Sequence, residues 1–77
     1  MSKEARFWSV SNEDAEFTKH WVRKFILSRK LGVTTQMPPE DMKKLSDLWA
    51  GVLTDDIKDA EYKQLWYEAD KELQDEQ

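Results

Sequence analysis

Few residues in this chain could do chemistry, and their spacing suits it poorly. His20 is the sole histidine and cysteine is absent. A histidine acting as general base needs a nucleophile or carboxylate at hydrogen-bond distance inside a pocket, and a metal-bound one needs further ligands. His20 instead stands among Lys19, Arg23 and Lys24, so it reads as a surface histidine, with Glu16 one turn earlier as an ordinary helix neighbour. Carboxylates are plentiful in Asp55, Asp56 and Asp59 and again in Glu68, Asp70 and Glu72. A calcium loop, however, alternates its oxygens and adds a Gly and a bidentate Glu, a pattern that Thr54 to Asp59 lacks. Gly32 and Gly51 are isolated, so there is no glycine-rich phosphate cradle. These residues predict no catalytic group, no metal and no cofactor, and the chain reads as a binding protein and not an enzyme.

The chemistry that remains is that of recognition. Lys19, Arg23, Lys24 and Lys30, with Arg29 nearby, cluster on one segment, and such a cluster is the electrostatic footprint of a contact with phosphates or with an acidic protein surface. It is equally what a solvated helix face looks like. Leu27 projects into the middle of this basic face, and the net charge of the chain is −4; both features favour a protein partner over nucleic acid, which stands as the alternative. The acidic C-terminal segment could imitate a nucleic acid, but its charge is thin for that role. A simpler use of the asymmetry is head-to-tail pairing of copies, the basic face of one against the acidic helix of another.

Four tryptophans are spread one to a segment. Trp21, Trp49 and Trp66 fall on apolar stripes and are assigned to the core. Trp8 has no helix of its own; capping the bundle is the favoured role, anchoring in a partner's pocket the other. Tyr67 joins the candidate surface because it lies on a second apolar line.

The elements that must position these residues are three helices. Ser11 is an N-cap with Asp14 three residues on, Val10 and Ala15 take the staple positions, and Gly32 supplies the stop, giving a helix of roughly 12–31. At 100° per residue, Ala15, Phe17, Thr18, Trp21, Val22, Phe25 and Ile26 fall opposite Glu16, Lys19, His20, Arg23, Lys24 and Lys30. After the Val33 to Met37 loop, Pro38-Pro39 presets a second helix of roughly 39–53, with Met42, Leu45, Leu48, Trp49, Val52 and Leu53 on one stripe. Thr54-Asp55-Asp56 is the next N-cap signal and opens a third helix of roughly 55–74. Tyr62, Leu65, Trp66, Ala69 and Leu73 make its core stripe, and Ile57, Ala60 and Tyr67 a second line. Residues 1–10 are expected as a short extended arm and 75–77 as a frayed tail.

The expected fold is therefore all-α, a three-helix bundle or open three-helix arrangement in one domain spanning 1–77, with a core of Phe17, Trp21, Val22, Phe25, Leu45, Trp49, Val52, Tyr62, Leu65, Trp66 and Leu73. At 77 residues and without disulfides, stability must come from apolar packing or self-association, which favours a homodimer. No 18-residue apolar run and no apolar leader is present, so neither a membrane span nor a signal peptide is expected, and the cytoplasm is the natural compartment. Charge is polarised: residues 1–36 carry seven Lys/Arg against four acids, residues 54–77 three against nine. The expected function is a small accessory regulator or inhibitor, of the kind phages and mobile elements encode, that binds a larger macromolecular machine through Lys19, Arg23, Lys24, Leu27 and Lys30, with Trp8 or Tyr67.

Overall fold

A computed structural model describes residues 6–75; residues 1–5 of the expected arm and residues 76–77 of the expected tail lie outside the described part. Three helices follow in order: α1 (Asn12–Leu31), α2 (Pro39–Leu48) and α3 (Asp56–Asp75), with no strand among the described residues. The chain is all-α, and α1 packs on α3 as the main helix-helix contact.

Local chemistry sets the helix ends. The Ser11 hydroxyl accepts the Asp14 N–H at 3.1 Å, satisfying one of the free donors of the first turn of α1. Gly32, at φ +70°, turns the chain left-handed, and its N–H and that of Val33 both return to the Ser28 carbonyl. Pro39 opens α2, and Asp55 caps α3 by accepting the Lys58 N–H at 3.0 Å. α2 is shorter than its apolar stripe suggests, ending at Leu48 and not near residue 53. Gly51 adopts φ +76°, and Val52 and Thr54 donate back to Trp49 and Gly51 in tight turns. A left-handed residue cannot continue a right-handed ladder, so Val52 and Leu53 leave the helix.

The core gathers around Leu65, which is fully buried, with Phe7, Val10, Ala15 and Trp49 about it; Leu45, Leu48, Val52 and Tyr62 cover this cluster in part. Trp21, Val22, Ala69 and Leu73 are buried along the α1–α3 contact. Of the expected core, Phe17, Phe25, Leu45, Val52, Tyr62 and Trp66 are only half-buried. Their place is taken partly by the arm, since Phe7 and Val10 fold onto the bundle, Val10 meeting Ala15 as the staple positions require. Trp8 does not cap the bundle: its side chain is 92% exposed, and Phe7 fills the role instead.

α2 buries no residue completely. It is pinned by the residue that follows it, Trp49, whose ring lies 5.0 Å from that of Tyr62 and whose indole N–H donates to the Thr18 hydroxyl at 3.0 Å. Thr18, buried in the middle of α1, donates in turn to the Asp14 carbonyl at 2.9 Å. Both polar groups enter the core with their hydrogen bonds made, which removes the desolvation cost of burying them.

Candidate functional site

The structure divides the basic face of α1 in two. Lys19 belongs to the interior: it is only 4% exposed. Its ammonium lies 2.9 Å from Glu72, 3.4 Å from Glu16 and 3.5 Å from Glu68. Arg23 reaches the other oxygen of Glu72 at 2.7 Å, and Arg6 holds Glu68 at 2.7 Å. Basic front and acidic back therefore pair within one chain, across the α1–α3 contact. Burial alone would lower the pKa of Lys19, but the hydrogen bond it donates to Glu72 and the charges of Glu16 and Glu72 outweigh it, so the value rises. Burial likewise acts to raise Glu68, and the hydrogen bonds from Arg6 and Gln64 turn the net shift downward. Lys19 is unavailable to a partner in this fold, and Arg23 is half-buried and committed to Glu72.

Beyond Arg23 the face is free. Lys24, Arg29 and Lys30 are exposed, and none has a carboxylate within ion-pair distance among the described residues. Lys24 instead lies 5.6 Å from the Trp21 ring centre. On the helical projection Leu27 stands between Lys24 and Lys30, and Leu31, one turn on, is 70% exposed with Val33 following at 57%. A patch of apolar residues rimmed by uncompensated cations thus occupies the C-terminal end of α1. The helix dipole supports it, because carbonyl ends gather negative potential in the last turn, where Arg29 and Lys30 stand.

Around the corner from this patch is a notch of about 170 Å³, lined by Phe25, Ile26, Arg29 and Lys30 of α1 and by Trp66 of α3. Arg29 follows Phe25 by one turn of α1 and is exposed. The Trp66 indole N–H is buried and has no hydrogen-bond acceptor among the described residues.

Trp8 and Tyr67 do not line the notch. The Glu61 carboxylate, 9% exposed on α3, accepts the amides of both Trp8 and Ser9, the latter at 2.9 Å. Burial would raise the Glu61 pKa, but the bonds from Ser9 and Trp8 lower it. The clamp fixes the backbone of Trp8 while leaving its indole in solvent. Ile57 precedes Glu61 by one turn and is 60% exposed, with Leu53 at 91% before it. Tyr67 and Ala60 continue an exposed line along α3 that nothing among the described residues covers. His20 is exposed, its ring edge against Trp21 at 5.3 Å, while Glu16 turns to Lys19. Among the described residues no group of three carboxylates, histidines or cysteines is placed to hold a metal ion, and no helix is long and apolar enough to cross a membrane.

Reading the helix alone missed Lys19 as an internal residue, Glu61 as the clamp and Arg29 as a notch residue. For Lys19 the sequence carried one hint, the opposite charges of the two ends of the chain. Comparison with protein-family models, with curated proteins and with solved structures finds no match to this chain.

Proposed function

We propose that this chain is a non-enzymatic interaction module, a small regulator or inhibitor that docks on an acidic surface of a larger protein machine through the C-terminal end of α1. The observation that supports this reading is the selective compensation of charge. Lys19 and Arg23 are consumed by Glu72, whereas Lys24 and Lys30 have no acidic partner among the described residues and stand around Leu27 and the exposed Leu31. Unpaired cations rimming an apolar centre suit an interface in which charge steers the approach and the apolar residues hold the complex. The loss of two cations to internal pairs leaves a short basic strip, weaker support for a phosphate backbone than for a protein surface.

Capture of the tagged protein's partner from lysate of its own source, after nuclease treatment and at low and moderate salt, tests the reading. One stoichiometric protein should be retained and should be lost on Lys24→Glu/Leu27→Ala. Nucleic acid that disappears with salt would replace this reading with the second one, and a partner indifferent to the double variant would move the site to Trp8 and Tyr67. Self-association through the uncovered line Ile57, Ala60 and Tyr67 is a separate expectation, checked by sedimentation equilibrium of the wild type against Tyr67→Glu.

A further inference from the structure

We infer that the notch between the end of α1 and Trp66 is a specific pocket for one large apolar side chain of an acidic peptide segment, so that the partner of this module presents an aromatic or leucine side chain flanked by carboxylates. The inference rests on the interaction reading above and names the chemistry of what is bound. Three independent features lead to it. The floor is apolar, from Phe25, Ile26 and the Trp66 ring, and the notch of about 170 Å³ is of the size of one large side chain rather than of a folded element. The rim is cationic: Arg29 and Lys30 both line it, both are exposed, and neither has an acidic partner among the described residues. The third feature is Trp66 itself, a residue of the notch wall whose indole N–H is buried without an acceptor among the described residues. A buried donor without an acceptor carries an uncompensated desolvation cost, and a carbonyl or carboxylate delivered with the guest, after a small turn of the ring, removes it.

Two other hollows among the described residues lack this combination. The groove beside Leu45 and Trp49 is lined by Thr18, Val22, Phe25 and Tyr62 and has no cation on its wall. The cleft beside Phe7 carries Arg6, which is already held by Glu68, and two acids, Glu13 and Glu16. A wider groove of about 620 Å³ shares Phe25, Arg29 and Trp66 with the notch; of the two, the notch has the size of one side chain, which suits the arrangement by which a single buried side chain dominates affinity while its charged neighbours set specificity.

Trp66 supplies the reporter. The chain has four indole N–H groups, and the resonance of Trp66 is assigned by its loss in Trp66→Phe. The ¹⁵N-labelled full chain is titrated with the blocked peptide acetyl-Glu-Asp-Phe-Asp-Glu-amide. Control peptides replace its acids by Gln and Asn, or its Phe by Ala. The expected result is a saturable shift at Trp66 with the acidic Phe peptide, at least tenfold weaker binding of both controls, and at least tenfold weaker binding to Arg29→Glu, whose exposed position leaves the fold intact. An absent Trp66 shift, equal binding of the neutral peptide, or indifference to Arg29→Glu would each overturn the pocket. Lys24 and Leu27 do not line the notch. Partner capture that depends on them but survives Arg29→Glu would therefore retire the pocket and keep the docking surface; the converse would retire the surface and keep the pocket.

Discussion

Lys19 of α1 and Glu72 of α3 meet at 2.9 Å, 53 residues apart in sequence, with the lysine almost entirely removed from solvent. The pair welds the two long helices where their apolar stripes alone would leave a charged edge. Its surroundings are well matched, because Glu16 and Glu68 add negative charge at the ammonium while Arg23 and Arg6 balance the carboxylates. Only the lysine is deeply buried in this group; Glu72 and Glu16 remain partly in solvent, and without Lys19 the acids Glu72 and Glu68 would still be held by Arg23 and Arg6.

Lys19→Ala, which removes a buried stem and the hydrogen bond to Glu72, should therefore cost about 2 kcal/mol, whereas Lys24→Ala and Lys30→Ala, at exposed positions with no acidic partner among the described residues, should stay within about 0.5 kcal/mol. Urea unfolding followed by circular dichroism measures all three. Equal effects would mean that Lys19 is solvated in solution. A charge-reversal variant meant to probe partner binding should accordingly leave Lys19 and Arg23 untouched.

The two tryptophans that flank the core should respond oppositely to loss of their indole N–H. Trp49→Phe removes the bond to Thr18 and frees the pin of α2, and a loss of about 1–2 kcal/mol is expected. Trp66→Phe deletes a donor that has no acceptor, so it should be neutral or slightly stabilising. Denaturant midpoints of the two variants decide the matter; a larger loss for Trp66→Phe would show that its N–H is bonded in solution.

Acid should destabilise the fold through Glu61 and Glu68. In each, burial pushes the pKa up, but the hydrogen bonds from Ser9 and Trp8, or from Arg6 and Gln64, bring it below the ordinary 4.5. A carboxylate with a depressed folded-state pKa contributes stability that is complete above its unfolded value and is lost as pH falls through the folded one. Thermal midpoints should thus hold from neutrality to about pH 5 and drop below about 4.5, less steeply in Glu68→Gln. Lys19 acts at the other limit: its raised pKa gives stability that is complete below 10.5 and lost as pH climbs through the folded value.

Glu61→Gln replaces one of the two acceptor oxygens by an amino group, and because the Trp8 and Ser9 amides are held by different oxygens, one of them loses the acceptor it has. Amide exchange at the unbonded position should accelerate at least tenfold while Leu65 keeps its protection. Unchanged exchange at both sites would show that the arm is held by Phe7 and Val10 alone.

The helix ends were legible in the residues because they are decided locally. Ser11 reaches only to Asp14, Gly32 only to Ser28, and Asp55 only to Lys58. The end of α2 was lost for the opposite reason, since the stripe from Met42 to Leu53 continues in period through Gly51, whose left-handed backbone breaks the helix. A helical projection also places Lys19 beside Arg23 and Lys30, for it knows only the neighbours on its own helix; the carboxylates that draw it inward come from α3. The arm was opaque because Phe7 and Val10 repeat with no period. Of the candidate surface, Lys24, Leu27 and Lys30 were readable as a group, while the notch depends on how α1 passes Trp66 and has no counterpart in spacing.

The attachment of α2 has a kinetic side. A helix with no wholly buried residue, held chiefly by the Trp49 ring beyond its end, is the cheapest part of the molecule to release. Sub-global opening should begin there, so that the amides of residues 42–48 exchange at a lower free energy than those around Leu65 and Ala69. The ion pairs that join α1 to α3 involve no residue of α2. The molecule then behaves as a rigid two-helix frame with a latch, and the frame, which carries both the free cations and the notch, keeps its binding end in place whether the latch is shut or open.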